Sequence, residues 1–185
     1  NIARAKQAGA DAALMVPPYY NRPSQEGIYQ HFAKLAETAE LPIVLYNVPG
    51  RTVTDIQPAT MARIVTAFPK VFVAVKDASG AIARVSAHRE GCGPDFVQLS
   101  GNDDMALAFN AMGGRGCISV SANVAPRLCA EFQAACQSGD YANALALQDR
   151  LWPLHDALFT DASPGPVKYA MTRVRPDFPT GLRLP

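Results

Sequence analysis

Residues 71–76 read VFVAVK, an apolar run closed by Lys76, and this stretch decides the fold class. Four further short apolar runs occur along the chain, at residues 12–16, 42–46, 96–99 and 117–120. None of them alternates apolar with polar side chains. Such runs are typical of strands in a parallel sheet that is covered on both faces. The sequence therefore predicts an α/β protein.

Amphipathic segments separate the apolar runs. After Ser24, an apolar stripe at helical spacing begins with Ile28 and Phe32. Pro58 suits the first position of the next helix. Asp103 and Asp104 are most simply interpreted as caps of a later helix. Each unit of strand and helix spans roughly 20–30 residues, which is the scale of a βαβ crossover.

The pattern changes after Val120. Helical segments follow there with no apolar strand run between them, at residues 126–136, 141–159 and 167–174. Pro153 should kink or divide the second of these segments. The sequence thus predicts about five β/α units in residues 1–123 and a helical region in residues 124–185.

Two architectures use parallel β/α units, the open doubly wound sheet and the closed (β/α)8 TIM barrel. No G-x-G-x-x-G motif follows the first run, which weakens the dinucleotide-binding form of the open sheet. Five strands do not close a barrel, because about three more units are needed and typical barrels have ~250 residues. The chain starts at Asn1 rather than methionine. We therefore expect the C-terminal part of a (β/α)8 barrel.

Composition excludes several functions. The 185 residues carry a net charge of +1, which gives no electrostatic case for binding nucleic acid or an anionic membrane. No apolar run is long enough to cross a membrane. Four cysteines lack the spacing of metal ligands and are expected to be buried, reduced thiols: Cys92, Cys117, Cys129 and Cys136.

Two neighbouring strands are predicted to end on side chains capable of chemistry. Lys76 closes the third run and Tyr46 closes the second. In a β/α barrel, the C-terminal strand ends build the active site. A partly desolvated lysine amine there can form a Schiff base with a carbonyl substrate, and a phenol can transfer protons. A lysine that extends to solvent and a tyrosine with a satisfied hydroxyl stay open as alternatives.

The loops after the first two runs hold further candidates. Arg51 follows Tyr46 closely, where a guanidinium can bind a carboxylate through two hydrogen bonds or simply be solvated. Tyr19 and Tyr20 follow the first run. They suit a pocket wall, a subunit interface or plain packing.

Other polar or flexible residues are predicted to be structural. The glycine-rich residues 113–116 precede a strand, so they lie at the rim opposite the active site and do not form a phosphate loop. His31, His88 and His155 fall in helical segments away from the strand ends. We expect these histidines to be structural or solvated.

Four motifs together resemble a known family. They are residues 17–27 (PPYYNRPSQEG), 46–52 (YNVPGRT), 75–80 (VKDASG) and 114–123 (GRGCISVSAN). Their order and spacing are similar to those of the 4-hydroxy-tetrahydrodipicolinate synthase family, also called dihydrodipicolinate synthases. The likeness covers essentially all 185 residues.

The resemblance implies a pyruvate-dependent, class I aldolase-like lyase on a (β/α)8 barrel with a C-terminal helical region. This family condenses pyruvate with L-aspartate 4-semialdehyde, toward diaminopimelate and lysine. Lys76 matches the Schiff-base lysine, and Tyr46 matches the tyrosine that donates and accepts protons. Tyr20 matches the tyrosine that completes a neighbouring subunit's proton relay. Arg51 matches the arginine that receives the semialdehyde carboxylate, and the Ile118 backbone matches a pyruvate contact.

The resemblance also implies a cytoplasmic homo-oligomer, a tight dimer or a dimer of dimers, with Tyr19 at the dimer interface. It implies small-molecule substrates and no metal or organic cofactor, because the lysine imine itself accepts electrons. The family's adjacent pyruvate-binding threonines and most of its lysine-inhibition residues match nothing in this sequence and belong upstream. Asn102 and Ser163 depart from the family's commoner acid and Asn-Pro pair.

Two alternatives stay open. Other keto-acid aldolases, such as N-acetylneuraminate lyase, share the chemistry of Lys76 and Tyr46 and differ in the acceptor. Arg51 and Thr52 favour the synthase. The other alternative is a non-catalytic fragment, because an incomplete sheet has open edges that invite aggregation. We predict that these 185 residues alone fold poorly and are inactive, and that the full-length parent is the enzyme.

Overall fold

The computed structural model describes residues 1–183, and its centre is a four-stranded parallel sheet. The strands are β1 (Ala13–Met15), β2 (Ile43–Asn47), β3 (Phe72–Asp77) and β4 (Val97–Ser100). Each pairs in parallel with the next strand along the chain. Within the described residues the order β1-β2-β3-β4 never reverses. A doubly wound sheet needs such a reversal, whereas a β/α barrel needs sequential order.

Helices connect the strands and then continue beyond them. Their bounds are α1 (Ile2–Gln7), α2 (Gln25–Ala36), α3 (Pro49–Thr52), α4 (Pro58–Ala67), α5 (Arg84–Cys92), α6 (Ala106–Ala111), α7 (Pro126–Ser138), α8 (Tyr141–Ala157) and α9 (Gly165–Val174). Two predicted starts are confirmed. Ser24 accepts a hydrogen bond from the Gly27 N–H at the start of α2, and Pro58 is the first residue of α4. Helix α8 continues through Pro153 and is not divided.

The fifth apolar run does not form a strand of the sheet, so the prediction of five strands is wrong within residues 1–183. Cys117 makes only an isolated parallel bridge with Ser100. The chain then turns into a short 3-10 helix, Ser121–Asn123. Around this bridge, the Ser100 N–H donates to the Gly116 carbonyl at 2.8 Å and the Ile118 N–H donates to the Ser100 carbonyl at 2.9 Å.

Asp103 and Asp104 do not cap α6, so the capping role predicted from the sequence is wrong. The residue before α6 is Met105, and no side chain caps that helix. The Asp103 carboxylate instead accepts hydrogen bonds from the backbone N–H groups of Val120, at 2.8 Å, and Ser121, at 3.2 Å. These two N–H groups are not paired in a strand ladder and need another acceptor. The Asp103 carboxylate serves them, so it is not available to cap α6.

The core lies between one face of the sheet and the helices that cover it. Phe32 of α2 and Phe72 of β3 are both buried, and their rings meet edge to face with centroids 5.7 Å apart. Other strand side chains are exposed, among them Leu14 at 48% and Val97 at 37%. A parallel sheet normally has both faces covered. Here only one face is fully covered within residues 1–183.

Two of the four cysteines are buried as expected, and the other two, Cys92 and Cys117, are only partly buried. All four cysteines are free thiols, and Cys129 and Cys136 are buried. Burial raises the pKa of the Cys92 thiol to about 11 and, with the Asp103 charge, that of the Cys117 thiol to about 12. Among residues 1–183, every helix is too short or too polar to cross a lipid bilayer. The division of the chain after residue 123 stays a prediction.

Candidate active site

The carboxyl ends of β2 and β3 bring together the two residues that the sequence singled out as catalytic candidates. Parallel pairing sets Tyr46 directly opposite Lys76, and Asn47 opposite Asp77. The Lys76 Nζ atom lies 4.3 Å from the centroid of the Tyr46 ring. Both side chains are half-buried. The geometry places an ammonium group over an aromatic ring at the mouth of the sheet, which is a favourable cation–π arrangement.

A cavity of about 360 Å³ opens beside this pair. Its wall includes Tyr46, Lys76 and Arg51 from the strand ends and their loops, together with Trp152 and His155 of α8. The strand ends thus form one side, and a helix about 80 residues further along the chain forms the other. This size suits a small organic substrate.

Arg51 stands in a rigid turn between β2 and α4. It belongs to the single helical turn α3, whose last residue Thr52 is buried and whose cap residue Val53 adopts a left-handed φ of 52°. The Thr52 hydroxyl donates to the carbonyl oxygens of Val48, at 3.1 Å, and Thr54, at 2.8 Å. Within residues 1–183, the Arg51 guanidinium is exposed and has no carboxylate partner. Its charge is therefore available to an anion from solution.

The loop after Lys76 is held by short hydrogen bonds. The Asp77 carboxylate accepts from the backbone N–H of Ser79 at 2.7 Å and from the Ser79 hydroxyl at 2.5 Å. The Asp77 carbonyl accepts from the Gly101 N–H at 2.7 Å, which ties the ends of β3 and β4 together. This bonding holds the backbone next to Lys76 in one conformation.

His155 is the cavity residue that sequence reasoning missed. It is buried and shares a 2.7 Å hydrogen bond between its Nδ1 atom and the Ser121 hydroxyl. Burial lowers the pKa of His155, and the charges of Asp103 and Asp104 only partly oppose this effect. The ring is therefore neutral at neutral pH. A neutral imidazole in the wall of a cavity can both donate and accept a hydrogen bond.

A pattern in α8 could have revealed this residue. Trp152, His155, Asp156 and Phe159 all line the cavity. Their spacing of three, four and seven positions from Trp152 puts them on one face of a helix. The rule that active-site residues lie at the C-terminal ends of barrel strands did not predict this face of α8. His88 and His31 match the expectation of structural or solvated residues, since the first is buried outside the cavity and the second is exposed.

The remaining predicted residues do not line this cavity. Tyr20 is 95% exposed and Tyr19 is 59% exposed, both in the loop after β1. Ile118 is partly exposed, and its N–H donates to the Ser100 carbonyl at 2.9 Å. Within residues 1–183, no group of three or more histidine, cysteine or acidic side chains is arranged to hold a metal ion.

Comparison with known proteins identifies the family. The profile of the Dihydrodipicolinate synthetase family matches residues 2–185. The chain belongs to this family. It is 66% identical over 181 residues to the 4-hydroxy-tetrahydrodipicolinate synthase of Rhizorhabdus wittichii, covering 98% of this chain and 62% of that protein. It is 63% identical over 185 residues to the protein of the same name from Zymomonas mobilis, covering all of this chain and 63% of the relative.

Solved structures of dihydrodipicolinate synthases share the fold. The 4-hydroxy-tetrahydrodipicolinate synthase of Methylacidiphilum fumariolicum superposes with a TM-score of 0.95 at 38% identity, covering 100% of this chain and 61% of that one. The chloride-inhibited dihydrodipicolinate synthase of Acinetobacter baumannii, complexed with pyruvate, gives 0.93 at 41% identity, covering 100% and 62%. The chain thus spans about 62% of the length of the curated relatives it matches. It forms part of a (β/α)8 TIM barrel, which confirms the predicted fold class and family.

Proposed function

We propose that the whole protein is a cytoplasmic 4-hydroxy-tetrahydrodipicolinate synthase. It would condense pyruvate with L-aspartate 4-semialdehyde on the route to diaminopimelate and lysine. The observation that carries the proposal is the pairing of Lys76 with Tyr46 at adjacent strand ends, with the Lys76 Nζ atom 4.3 Å from the centroid of the Tyr46 ring. The identity of 66% to a relative of that name supports the same function.

Lys76 is proposed to supply the nucleophile. Its amine adds to the pyruvate ketone, and the resulting carbinolamine loses water to give an imine. The protonated imine nitrogen draws electrons from the adjacent methyl group, which loses a proton to form an enamine. The enamine carbon then attacks the aldehyde of the second substrate. The nitrogen accepts the electron pair when the methyl proton is lost and returns it when the carbon–carbon bond forms, so we propose that no metal or organic cofactor takes part.

Tyr46 and Arg51 are proposed to serve the two substrates in different ways. The Lys76 amine lies over the Tyr46 ring, and the Tyr46 hydroxyl is proposed to carry protons to and from the carbinolamine. Arg51 lines the same cavity from a rigid turn and can bind the carboxylate of the semialdehyde through two hydrogen bonds. The Ile118 backbone is proposed to contact pyruvate.

Tyr19 and Tyr20 are proposed to act between subunits. Their exposure suits contact with a second copy of the chain in a homodimer or a dimer of dimers, with Tyr20 completing the neighbour's proton relay. Sedimentation of the full-length protein should show a dimer or tetramer. Tyr20→Ala should weaken this assembly, and a stable monomer in the unsubstituted protein would contradict the proposal.

Borohydride trapping tests the chemistry. The full-length protein is incubated with pyruvate, reduced with borohydride, and digested for peptide mass mapping. We expect the reduced pyruvyl adduct on the peptide that contains Lys76. Lys76→Arg should give no adduct, whereas Lys70→Arg, at an exposed lysine in the same β/α unit, should trap like the unsubstituted protein. A folded protein with no adduct, or with the adduct on another lysine, would refute the proposal.

The acceptor is tested separately. We expect Arg51→Ala to weaken the use of aspartate semialdehyde far more than it weakens imine formation with pyruvate. Arg63→Ala, which removes an exposed ion pair with Glu26, serves as the control. Equal loss of both half-reactions would contradict the assignment of Arg51. Efficient turnover of a sugar aldehyde instead would favour the N-acetylneuraminate lyase alternative.

We also propose that residues 1–185 by themselves fold poorly and do not catalyse the reaction. Leu14 and Val97 are exposed on strands of an open parallel sheet, and such a surface loses the hydrophobic stabilisation that a closed barrel provides. The measurement is a thermal melt and an activity assay of this piece. A cooperative melt accompanied by turnover would show that the piece is sufficient.

A further inference from the structure

A buried amide closes the loop that carries Arg51. Asn47 is the last residue of β2 and is fully buried. Its Oδ1 atom accepts from the Ile56 N–H at 3.0 Å, and its Nδ2 atom donates to the Asp55 carboxylate at 2.9 Å. One side chain therefore bridges from the strand end to the far side of the loop. Arg51 lies inside the segment that this bridge closes.

A second element holds the same loop from outside. Arg84 of α5 forms a two-pronged ion pair with Asp55, with Nη1–Oδ1 at 2.9 Å and Nη2–Oδ2 at 2.5 Å. The Arg84 Nη1 atom also donates to the Ile56 carbonyl at 3.1 Å. The side chains of Arg84 and Asp55 are only 16% and 28% exposed. A parallel pair at this burial constrains geometry more strongly than a surface ion pair does.

The charge state of Asp55 agrees with this arrangement. Burial alone would raise the pKa of its carboxyl group. The hydrogen bonds from Arg84 and Asn47, with the Arg84 charge, outweigh burial and hold the pKa below its usual value. Asp55 is therefore ionised over the range in which the enzyme would work.

The cluster connects to the reacting side chains without lining their cavity. Asn47 follows Tyr46 directly, and its carbonyl accepts from the Ala78 N–H at 2.8 Å, just beyond Lys76. None of Asn47, Asp55 or Arg84 lines the cavity, whereas Arg51 does. Any effect of the cluster on the acceptor must therefore pass through the backbone that holds Arg51.

We infer that Asn47, Asp55 and Arg84 are positioning residues that hold the Arg51 turn for the carboxylate of the acceptor substrate. The inference rests on the proposed function. It assigns specificity for the acceptor to a cluster anchored on α5, outside the cavity wall. The cluster matters because a bidentate contact requires the guanidinium and the carboxylate to be aligned within a fraction of an ångström.

The test measures the two substrates separately in the full-length protein. Arg84→Lys keeps the charge but cannot form two parallel hydrogen bonds, and Asp55→Asn keeps the shape but loses the charge. Both should raise KM for aspartate semialdehyde by roughly 10- to 100-fold. The rate of borohydride trapping with pyruvate should stay within about two-fold, since the substituted residues Arg84 and Asp55 form no hydrogen bond with Lys76 or Tyr46. Arg63→Ala on α4 is the matched control and should leave both values unchanged.

A double-mutant cycle separates positioning from general destabilisation. If Arg84 acts through Arg51, Arg84→Lys should have almost no further effect on the acceptor KM in an Arg51→Ala background. Full additivity of the two substitutions would overturn the inference. So would equal loss of imine trapping and acceptor use in the folded Arg84→Lys protein. Failure of the proposed function itself would show differently, as an unsubstituted protein that traps no pyruvate.

Discussion

Gly101 occupies a position where even one methyl group should disturb the active-site rim. It follows β4 and lines the cavity. An added Cβ atom would lie 2.6 Å from the Cβ of Ala78 and 3.2 Å from the Asp77 carbonyl oxygen. These atoms belong to the backbone or sit directly on it, so no rotamer change can relieve the contact. In Gly101→Ala, the ends of β3 and β4 must therefore separate by roughly 1 Å.

The magnitude follows from this displacement. Overpacking at a rigid contact costs about 1–3 kcal/mol of unfolding free energy. For a protein of 150–250 residues, Tm falls by about 2–4 °C per kcal/mol, and the longer full-length protein should shift by somewhat less. Asp77 is next to Lys76, so a shift of about 1 Å there should also slow imine formation by up to ~100-fold. Backbone strain does not contribute, because Gly101 does not have a left-handed φ.

The assay combines a thermal melt with the rate of borohydride trapping, both on the full-length protein. Gly165→Ala is the matched control, because a Cβ at Gly165 would meet nothing within 4 Å. We expect the control to keep the original Tm and trapping rate. If Gly101→Ala behaved like the control in both measurements, the rim would be able to relax, and the steric reasoning would be wrong.

Three further perturbations test the packing, the capping and the electrostatics. Phe32→Ala should lower the free energy of unfolding by about 3–5 kcal/mol in urea titrations, because a fully buried ring leaves a cavity; a loss below about 1 kcal/mol would contradict the core assignment. Ser24→Ala should cost about 1 kcal/mol in the same assay, because α2 loses the side-chain acceptor at its start. Stability should fall as the pH drops below about 6.5. Burial is the main reason that the pKa values of His88 and His155 are lowered in the folded protein. As the pH falls, the unfolded chain therefore takes up these protons before the folded protein does. Urea midpoints at about pH 7.5 and 5.5 measure this, and the contribution of His88 and His155 should disappear in a variant lacking both side chains.

Local patterns were sufficient for strands β1 to β4 and for the pair of residues at the ends of β2 and β3. Residues 42–46 and 71–76 are short, continuously apolar and separated by one helical segment, so they predict neighbouring parallel strands. Parallel strands of one sheet end at the same edge, and this rule alone brings Tyr46 and Lys76 together. The structure pairs the two residues in register. Because the rule depends only on chain direction, no side-chain contact had to be known.

Local patterns failed where a side chain is recruited by a distant backbone. Asp103 looks like a helix cap, but the unpaired N–H groups of Val120 and Ser121 take its carboxylate. The run 117–120 looks like a strand, but it makes one bridge only. For Asp103 the competing partner lies more than ten residues away, outside the range of capping rules.

The sequence by itself determined the α/β class, the parallel order and the position of Lys76 and Tyr46 at neighbouring strand ends. These properties follow from apolar periodicity and from chain direction, both of which can be read along a single segment. Tertiary structure alone decided that His155 lines the cavity and that Arg84 pairs with Asp55, just beyond the Arg51 turn. Those contacts join residues about 30 to 100 positions apart, and such partners are set by how helices pack on the sheet.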